Sequence, residues 1–530
     1  MMFFRLCALL SVCFLALSAE PVSAEPLPPA AESMSSVAAL FDRVKSDPVR
    51  LELFLRAFPK GADLHNHLSG AVYAESFLRW AAEDGLCVSL KNHAILSAHC
   101  PKPAEGQALA ETLPSREDDW NEMVNALSMR NFIPTEHDRS GHDHFFSTFL
   151  RFTAVEQRHQ GDMLAEAAER AARDNVQYLE LQIAPISFDA LAEMMKSAAL
   201  PPLKSEADLD HAYEALKPVL GRMAALSRAS MDEMEVRARE VMRCGTAQAS
   251  AGCRVTIRYQ YSALRVFPAA FVWMQLVAAY ESVKRDPRLV GVNIVAPEDD
   301  PVALRDYDLH MQMFRYLNRV YPGTQLSLHA GEVTPSLVPL ADLDHHIRAA
   351  IDVAGARRIG HGVDVLWEHD PVSLLKDMAR RSILVEINLT SNDEILGVKG
   401  SRHPFSLYRQ AGVPVALSTD DEGVSRSDLT QEYVRAVTSY HLDYPSLVQL
   451  SRTGLEYGFM QGESLWVGHH LGQVVPACAG GTPGHEDGMS RPCHDFLQKN
   501  LKARLQWQLE GAFHTFGQDV LNNPLLIPPQ

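Results

Sequence analysis

Four short polar clusters hold the residue types with which this chain could do chemistry. They are His65-Asn66-His67, His329-Ala330-Gly331-Glu332, Gly360-His361-Gly362 and Asp420-Asp421. Imidazole nitrogens and carboxylate oxygens are ligands that zinc prefers, and three histidines with one carboxylate would leave a position for water. Any one cluster is easily incidental in a chain with 22 histidines, and we interpret His345-His346 and His469-His470 as surface residues without a role. The prediction of a metal site therefore depends on the four clusters coming together.

The clusters lie at the ends of short β-rich runs that alternate with long helical stretches. The runs are GADLHNH (61–67), VQYLELQI (176–183), CRVTIRYQY (253–261), LVGVNIVA (289–296), QLSLHAGE (325–332), RRIGHGVD (357–364), ILVEINLTS (383–391) and VPVALSTDDEG (413–423). Most runs are apolar on both faces, which is typical of parallel strands covered by helices. Eight such units predict an α/β fold, the (β/α)₈ TIM barrel, whose active sites lie at the carboxyl ends of the strands. Because alternate residues of a strand share a side, His65 and His67 should both face the barrel mouth.

Two intervals between these runs are too long for one helix. We expect helical insertions at about 71–175, after the first strand, and at about 184–252, after the second. The pattern from about 432 to 530 is mostly helical and predicts a C-terminal extension. Residues 58–530 should therefore form one barrel domain, preceded by a tether and helix at 25–57.

The composition is that of an ordinary globular protein. Hydrophobic residues make up 46% of the 530 residues, charged residues 22% and aromatic residues 8%, which is enough apolar surface for a large core. Forty-nine basic and 66 acidic side chains give a formal net charge of −17. This balance excludes an overall positive field that would collect nucleic acid or anionic lipid. The expected partner is a small neutral or cationic molecule, and the oligomeric state stays open.

The first 24 residues have the pattern of a signal peptide. Arg5 precedes the apolar run LCALLSVCFLALSA, and Val22-Ser23-Ala24 resembles a cleavage site before Glu25. The alternative is an uncleaved membrane anchor, but the apolar run has about 14 residues where a spanning helix needs about 20. We therefore expect an exported chain, periplasmic or secreted, that is not held in a membrane after cleavage.

The cysteine positions agree with export. Two of the eight cysteines lie in the signal peptide, and the other six form local pairs. The pairs are Cys87 with Cys100, Cys244 with Cys253, and Cys478 with Cys493. An even number of close pairs in an exported chain predicts three disulfides, although six free buried thiols are the alternative.

Longer blocks of the sequence resemble the adenosine deaminase family of the amidohydrolase superfamily. The matching blocks are FPKGADLHNHLSG (58–70), SLHAGE (327–332), RRIGHG (357–362), EINLTSN (386–392), His403-Pro404, and STDDEG (418–423) followed by Glu432-Tyr433. They occur in the order of the family and extend from Phe58 to Tyr433. The predicted signal and disulfides are also similar to the secreted adenosine deaminase-related growth-factor branch.

The resemblance implies a role for each cluster. It implies one Zn²⁺ per chain, held by His65, His67, His329 and Asp420. It implies that Glu332 gives a proton to purine N1, that His361 holds the attacking water and helps to deprotonate it, and that Asp420 also contacts this water. Glu332 must then be protonated when the substrate is bound, which requires a raised pKa. The implied substrate-binding residues are His67, Ser69, Ala296 and Asp421, the last of these at N7.

Two departures from the family pattern bear on the substrate. Ser69 stands where the family has an aspartate that meets the ribose, and Ala296 stands where it has a glycine whose N–H meets the purine. The leading hypothesis is zinc-dependent hydrolysis of adenosine or 2'-deoxyadenosine to inosine and ammonia. The departures favour an alternative, an aminohydrolase for a different amino-purine or a substituted nucleoside. A third hypothesis is a secreted binding or growth-factor-like protein with an idle site.

Overall fold

The structure is a computed structural model that describes residues 29–136, 138–487 and 489–526. The predicted signal peptide, residues 1–24, and the start of the predicted tether lie outside the described residues. Within the predicted tether and helix at 25–57, the described residues form two helices, Pro29–Val44 and Pro48–Ala57.

The described residues form eleven β-strands. They are β1 (Gly61–His67), β2 (Leu86–Ser89), β3 (Ala94–His99), β4 (Gln107–Leu109), β5 (Val176–Ile183), β6 (Thr256–Leu264), β7 (Leu289–Val295), β8 (Ser327–Ala330), β9 (Arg358–His361), β10 (Leu384–Ile387) and β11 (Val415–Leu417).

The described residues also form nineteen α-helices. They are α1 (Pro29–Val44), α2 (Pro48–Ala57), α3 (Ala74–Glu83), α4 (Glu117–Ala126), α5 (Gly141–Glu156), α6 (Gln160–Arg173), α7 (Phe188–Ser197), α8 (Leu209–Leu216), α9 (Leu220–Val241), α10 (Ala269–Arg285), α11 (Pro301–Val320), α12 (His346–Asp352), α13 (Pro371–Arg381), α14 (Leu389–Leu396), α15 (Phe405–Gln410), α16 (Leu429–Tyr440), α17 (Tyr444–Tyr457), α18 (Arg491–Lys499) and α19 (Leu501–Leu521).

Eight of the described strands form a closed parallel barrel, as the sequence predicted. The hydrogen-bonded orders are β1-β5-β6-β7 and β11-β10-β9-β8. Parallel bridges join the two halves, Asn66 to Asp420 on one side and Val292 to Leu326 on the other. Every residue of β7 through β11 is buried, because helices cover the barrel from outside and side chains fill it from inside.

Several of the surrounding helices begin at Asp-Pro steps. Asp47, Asp300 and Asp370 each precede the first helical proline of α2, α11 and α13, and each side chain accepts a backbone N–H of the first turn. Proline at the first position has no N–H that would need a partner. These caps fix where each helix starts, α2 after α1, and α11 and α13 after barrel strands.

A group of buried charges lies inside the barrel, and we call Glu180, Arg358 and Glu386 the core network. The Arg358 guanidinium is 2.6 Å from Glu180 Oε2 and 2.6 Å from Glu386 Oε1. Tyr178 also donates to Glu180, at 2.7 Å, and the Phe459 ring lies 3.8 Å from the guanidinium. Each charge of the core network therefore faces an opposite charge in the dry interior.

The insertion after β1 is only partly helical, so the prediction of a helical insertion was incomplete. Besides α3 to α6 it contains a small antiparallel sheet of order β3-β2-β4. The Cys87–Cys100 disulfide joins β2 to the residue that follows β3. Short apolar runs separated by residues 90–93 and by a proline-containing stretch at 101–103 are too brief to form helical turns that bury one face.

The other two predicted disulfides are also present. The Cys244–Cys253 bond closes the helical insertion after β5, and Cys478–Cys493 closes a loop in the helical C-terminal extension. Among the described residues, no helix is both long and apolar enough to cross a membrane.

Candidate active site

Residues from four strand ends meet at the carboxyl end of the barrel, and we call His65, His67, His329, Glu332, His361 and Asp420 the strand-end cluster. The bridge between β1 and the end of β11 brings the first and last strands together. His67 N–H donates to Asp420 O at 3.1 Å, and Asp420 N–H donates to His65 O at 2.8 Å. The Asp420 side chain is thereby placed against both histidines of β1.

The four residues with ligand-type atoms lie close enough to surround one ion. One donor atom from each of His65, His67, His329 and Asp420 lies within 4.8 Å of the others. Asp420 Oδ1 is 3.4 Å from His65 Nε2 and 3.2 Å from His67 Nε2. The distance between His67 Nε2 and His329 Nε2 is 3.2 Å.

Polar side chains behind the cluster orient two of these rings. Glu386 Oε2 is 2.7 Å from His65 Nδ1, and its other oxygen accepts from Ser327 Oγ at 2.7 Å. Asn293 Oδ1 is 3.1 Å from His329 Nδ1. Sequence reasoning gave no role to Glu386 or Asn293. A signal existed, since each is a polar residue within an otherwise apolar strand.

These contacts fit a metal site. The Nδ1 atoms of His65 and His329 are engaged by their partners, so Nε2 of each ring is left for a ligand. In the described part of the chain, His65 Nε2 is buried and has no hydrogen-bond partner. Three imidazole nitrogens and one carboxylate oxygen are a donor set suited to a transition-metal ion such as zinc.

Glu332 and His361 lie on the other side of Asp420. Glu332 Oε1 is 3.4 Å from His361 Nδ1, and Asp420 Oδ2 is 3.9 Å from His361 Nε2. Burial, and after it the charges of Asp420 and Glu298, raise the pKa of Glu332 well above its ordinary value. Burial lowers the pKa of His361 to about 3. Glu332 thus tends to be a neutral acid, and His361 a neutral imidazole.

A chain of hydrogen bonds fixes the orientation of His361. Phe405 N–H donates to His403 Nδ1 at 3.1 Å, and His403 Nε2 is 3.0 Å from Asn392 Oδ1. Asn392 Nδ2 in turn is 2.9 Å from His361 Nδ1. An amide NH₂ can only donate, so Nδ1 accepts and the neutral ring carries its hydrogen on Nε2. The sequence blocks contained Asn392 and His403, but their connection to His361 is a tertiary feature.

Asp421 is fixed by an unusually close approach of the chain. A Cβ at Gly70 would lie 1.6 Å from Asp421 Oδ1, so this position requires glycine. Among the described atoms, Asp421 Oδ1 has no hydrogen-bond partner, and burial, followed by Asp420, raises the pKa of Asp421 well above its ordinary value. The neighbouring Ser69 is half-buried.

The backbone is left-handed at three of the sequence-predicted positions. The φ angles are 81° at Ala296, 71° at His361 and 61° at Asp420. Left-handed backbone costs an L-residue about 1 to 2 kcal/mol, and such residues concentrate at functional sites. Ala296 therefore has the backbone conformation that favours the glycine of the family pattern.

One interpretation from the sequence was wrong. His346, taken as a surface residue, is only 1% exposed and lies 2.6 Å from Glu298, because the turn before α12 folds inward. Its neighbour His345 is half-buried. Glu298 and His346 are thus additional buried groups beside the strand-end cluster.

The insertion after β1 closes over the same end of the barrel. A cavity of about 660 Å³ lies between this insertion, the loop after β8 and α14, and no residue of the strand-end cluster is among the described residues that line it. Its lining includes Met129, Phe132, His142, Leu337 and Glu394.

Comparisons with known proteins identify the family of this chain. The model of the family described as adenosine deaminase matches residues 121–465, more than half of the chain. The adenosine deaminase of Shewanella denitrificans is 35% identical over 139 residues, which cover 26% of this chain and 39% of that protein. The adenosine deaminase of Plasmodium gallinaceum is 29% identical over 189 residues, 35% of this chain and 47% of that protein. The chain spans less than half the length of these two relatives.

Solved structures show the same fold. Arabidopsis ADAL complexed with IMP has a TM-score of 0.51 at 20% identity, covering 77% of this chain and 94% of that chain. The same protein complexed with GMP gives the same values. The extent of the family match, together with this fold, leads to one conclusion. The chain belongs to the adenosine deaminase family.

Proposed function

We propose that this protein is a zinc-dependent aminohydrolase that converts adenosine or 2'-deoxyadenosine to inosine and ammonia. The observation that carries this proposal is the strand-end cluster, in which four ligand-type side chains lie beside a buried acid and a buried imidazole. Membership in the adenosine deaminase family supports the same reaction class.

We assign the metal, one Zn²⁺ per chain, to His65, His67, His329 and Asp420. The chemistry that zinc supplies in such a site is the activation of water, whose pKa falls from about 15.7 to about 7. Glu386 and Asn293 would hold the rings of His65 and His329 in the orientation that presents Nε2.

The remaining steps follow from the side chains of this protein. Water oxygen adds to purine C6 while Glu332 transfers its proton to N1, which neutralises the charge that develops on the ring. His361 donates from Nε2 to the attacking oxygen, and this makes removal of the water proton easier, with Asp420 as the acceptor. The amino nitrogen takes the water proton held by Asp420, its bond to C6 breaks with the electron pair going to nitrogen, and ammonia leaves. The proton of the C6 hydroxyl returns to Glu332 as the C6 carbonyl forms, and N1 keeps the proton that it received. Asp421 binds at N7, where a carboxyl kept neutral by its raised pKa can donate.

A second candidate is an aminohydrolase for another amino-purine or a substituted nucleoside. The side chain of Ser69 is shorter than that of aspartate, and it has no negative charge with which to bind the ribose. The Ala296 methyl group projects from a left-handed backbone where the family has glycine. Both changes fall within the proposed substrate-binding set of His67, Ser69, Ala296 and Asp421, and they leave the acid, the imidazole and the ligands in place.

We further propose that the chain is exported, with residues 1–24 removed and residues 58–530 forming the catalytic barrel domain. The disulfides of the described residues support an oxidising compartment. Intact mass before and after reduction and alkylation tests this: cleavage at Glu25 and six protected thiols are expected. An N-terminus at Met1, or six thiols that react without reduction, would contradict it.

The function is tested by a panel of amino-substituted nucleosides, with ammonia release and loss of ultraviolet absorbance measured alongside metal content. Adenosine or 2'-deoxyadenosine should be turned over by protein with one zinc per chain. Preference for another member of the panel would favour the second candidate. If zinc-loaded protein leaves the whole panel unchanged, the site is idle and a binding or growth-factor-like role replaces the enzyme.

A further inference from the structure

Glu298 holds the backbone of the loop that carries Glu332. Glu298 Oε1 accepts Gly331 N–H at 3.1 Å, and Oε2 accepts Glu332 N–H at 2.9 Å. The residue is 1% exposed and lies three positions after the end of β7. One carboxylate therefore accepts hydrogen bonds from two successive backbone amides at the neighbouring strand end, one on each of its oxygens.

The loop that carries Gly331 and Glu332 has little conformational freedom. Gly331 has a φ of 77°, and a Cβ at this position would lie 2.4 Å from Asp364 Oδ1. The direction of the Glu332 side chain follows from the orientation of these two peptide units. Charge-assisted bonds from carboxylate to amide are about twice as strong as neutral ones, so Glu298 is well suited to fix that orientation.

Glu298 is itself held by His346. His346 Nδ1 is 2.6 Å from Glu298 Oε1, and the imidazole stacks on the Tyr307 ring with centroids 3.7 Å apart and planes inclined by 8°. Tyr307 OH donates to His346 O at 2.8 Å. The Arg265 guanidinium lies 3.7 Å from the other oxygen of Glu298. The carboxylate is thus fixed on both sides by residues outside the strand-end cluster.

We propose that Glu298 is a positioning residue for Glu332, and that His346 holds Glu298 in place for this task. The inference rests on the proposed function, because it gives Glu332 the role of proton donor. Neither Glu298 nor His346 belongs to the proposed ligand set, and we assign neither of them a contact with substrate.

The charges agree with this arrangement. Burial alone would raise the pKa of Glu298, but His346, Arg265 and the Glu332 N–H lower it to about 2. Glu298 is therefore an anion at neutral pH. Its charge, after burial and Asp420, contributes to the raised pKa of Glu332.

The test begins with Glu298→Gln in the metal-loaded enzyme. The glutamine amide turns an NH₂ donor toward one of the two backbone N–H donors, so the grip is lost without a change of volume. We expect kcat to fall by about 10- to 100-fold, the range for partners that orient a functional group, with KM within about threefold and zinc content unchanged. An unchanged kcat would overturn the inference.

A double-mutant cycle shows whether the effect passes through Glu332. In the Glu332→Gln background, Glu298→Gln should lower kcat by less than about twofold, because the acid it positions is already absent. Full additivity of the two changes would mean that Glu298 acts elsewhere, and would overturn the inference.

The second residue is tested with a matched pair of adjacent histidines. His346→Leu should lower kcat as Glu298→Gln does, and His346→Asn, which keeps a donor, should restore part of it. His345→Leu, at the half-buried neighbour whose side chain pairs with Asp344 and not with Glu298, should leave kcat unchanged. Equal effects at His345 and His346, or no rescue by asparagine, would contradict the role of His346.

Hydrogen exchange separates this inference from the proposed function. In Glu298→Ala the peptide containing Gly331 and Glu332 should exchange faster than in wild type, with other peptides unchanged. Unchanged exchange there overturns the inference whether or not the protein is active. If the wild-type protein deaminates no member of the nucleoside panel, the proposed function is wrong. Faster exchange in Glu298→Ala would then show only that Glu298 orders the loop, and its proposed role in catalysis would be overturned.

Discussion

The core network and the strand-end cluster are both groups of buried charges inside one barrel, yet their surroundings differ. Arg358 lies between Glu180 and Glu386, and all three occupy regular strands. The two groups differ in the distance between opposite charges. Arg358 Nε lies 2.6 Å from Glu386 Oε1, whereas the buried Nε2 atoms of His65 and His361, which have no hydrogen-bond partner among the described residues, lie 3.4 and 3.9 Å from the Asp420 carboxylate. Within the same fold, the charges of the core network are paired with each other, whereas the strand-end cluster has polar atoms whose hydrogen-bonding capacity is not used.

The difference indicates which buried charges are available to bind a ligand. Buried polar atoms are normally hydrogen-bonded, so unused valences in an ordered interior point to a ligand. The backbone shows the same contrast, since His361 and Asp420 are left-handed where their strands end. Glu386 joins the two groups, with Oε1 toward Arg358 and Oε2 toward His65. Four substitutions test the difference between the two groups.

The largest effect is expected at a metal ligand. His329→Ala removes one of the four donor residues, so both zinc content and deaminase activity should collapse, the latter by at least about 10⁴-fold because water is no longer activated. Metal analysis and nucleoside turnover measure this. His494→Ala, at an exposed histidine, is the control that should change neither. Full activity in a metal-free preparation would contradict the assignment.

Glu332→Gln should lower the rate by about 10² to 10⁴, equivalent to roughly 3 to 5 kcal/mol of barrier. Glutamine can donate a hydrogen bond to N1 but cannot transfer a proton. Zinc content and the melting temperature should stay at their wild-type values, since Glu332 is not a proposed ligand and glutamine has the same shape. A wild-type rate in this variant would show that Glu332 is not the proton donor, but it would not contradict the proposed deaminase activity.

A substitution in the core network is expected to lower the stability of the protein. Arg358→Met leaves Glu180 and Glu386 buried without their cation, which should lower the free energy of unfolding by about 3 to 5 kcal/mol. Urea denaturation of the metal-loaded protein measures it. Arg79→Met is the matched control, because its partner Glu83 is exposed and such pairs contribute about 0 to 1 kcal/mol. Equal losses in the two variants would erase the distinction between the core network and the surface.

The smallest effect is expected from a residue that acts through another. Asn392→Ala removes the donor to His361 Nδ1 and should lower kcat by about 10- to 100-fold, because the ring loses its fixed orientation. Zinc content should not change. A loss as large as that of His329→Ala, together with loss of metal, would show that Asn392 supports the ligands instead of His361.

The sequence was sufficient to predict the barrel and the residues at its mouth. Runs that are apolar on both faces predict parallel strands by their local pattern, and each of the eight runs contains or overlaps a barrel strand. The three disulfides followed from close spacing of cysteines. These features could be predicted because each depends on a few consecutive residues or on a short loop.

Other features were decided only by the tertiary structure. The inward turn of His346, the grip of Glu298 on Gly331, and the contact of Asn392 with His361 join different strand ends. Nothing in the local pattern around these residues indicates their partner, because hydrogen-bond geometry depends on the register of the strands and on the shape of their loops. The bridge from Asn66 to Asp420 is the clearest case: barrel closure alone brings the two ends of the strand order together, and with them the donor atoms of the strand-end cluster.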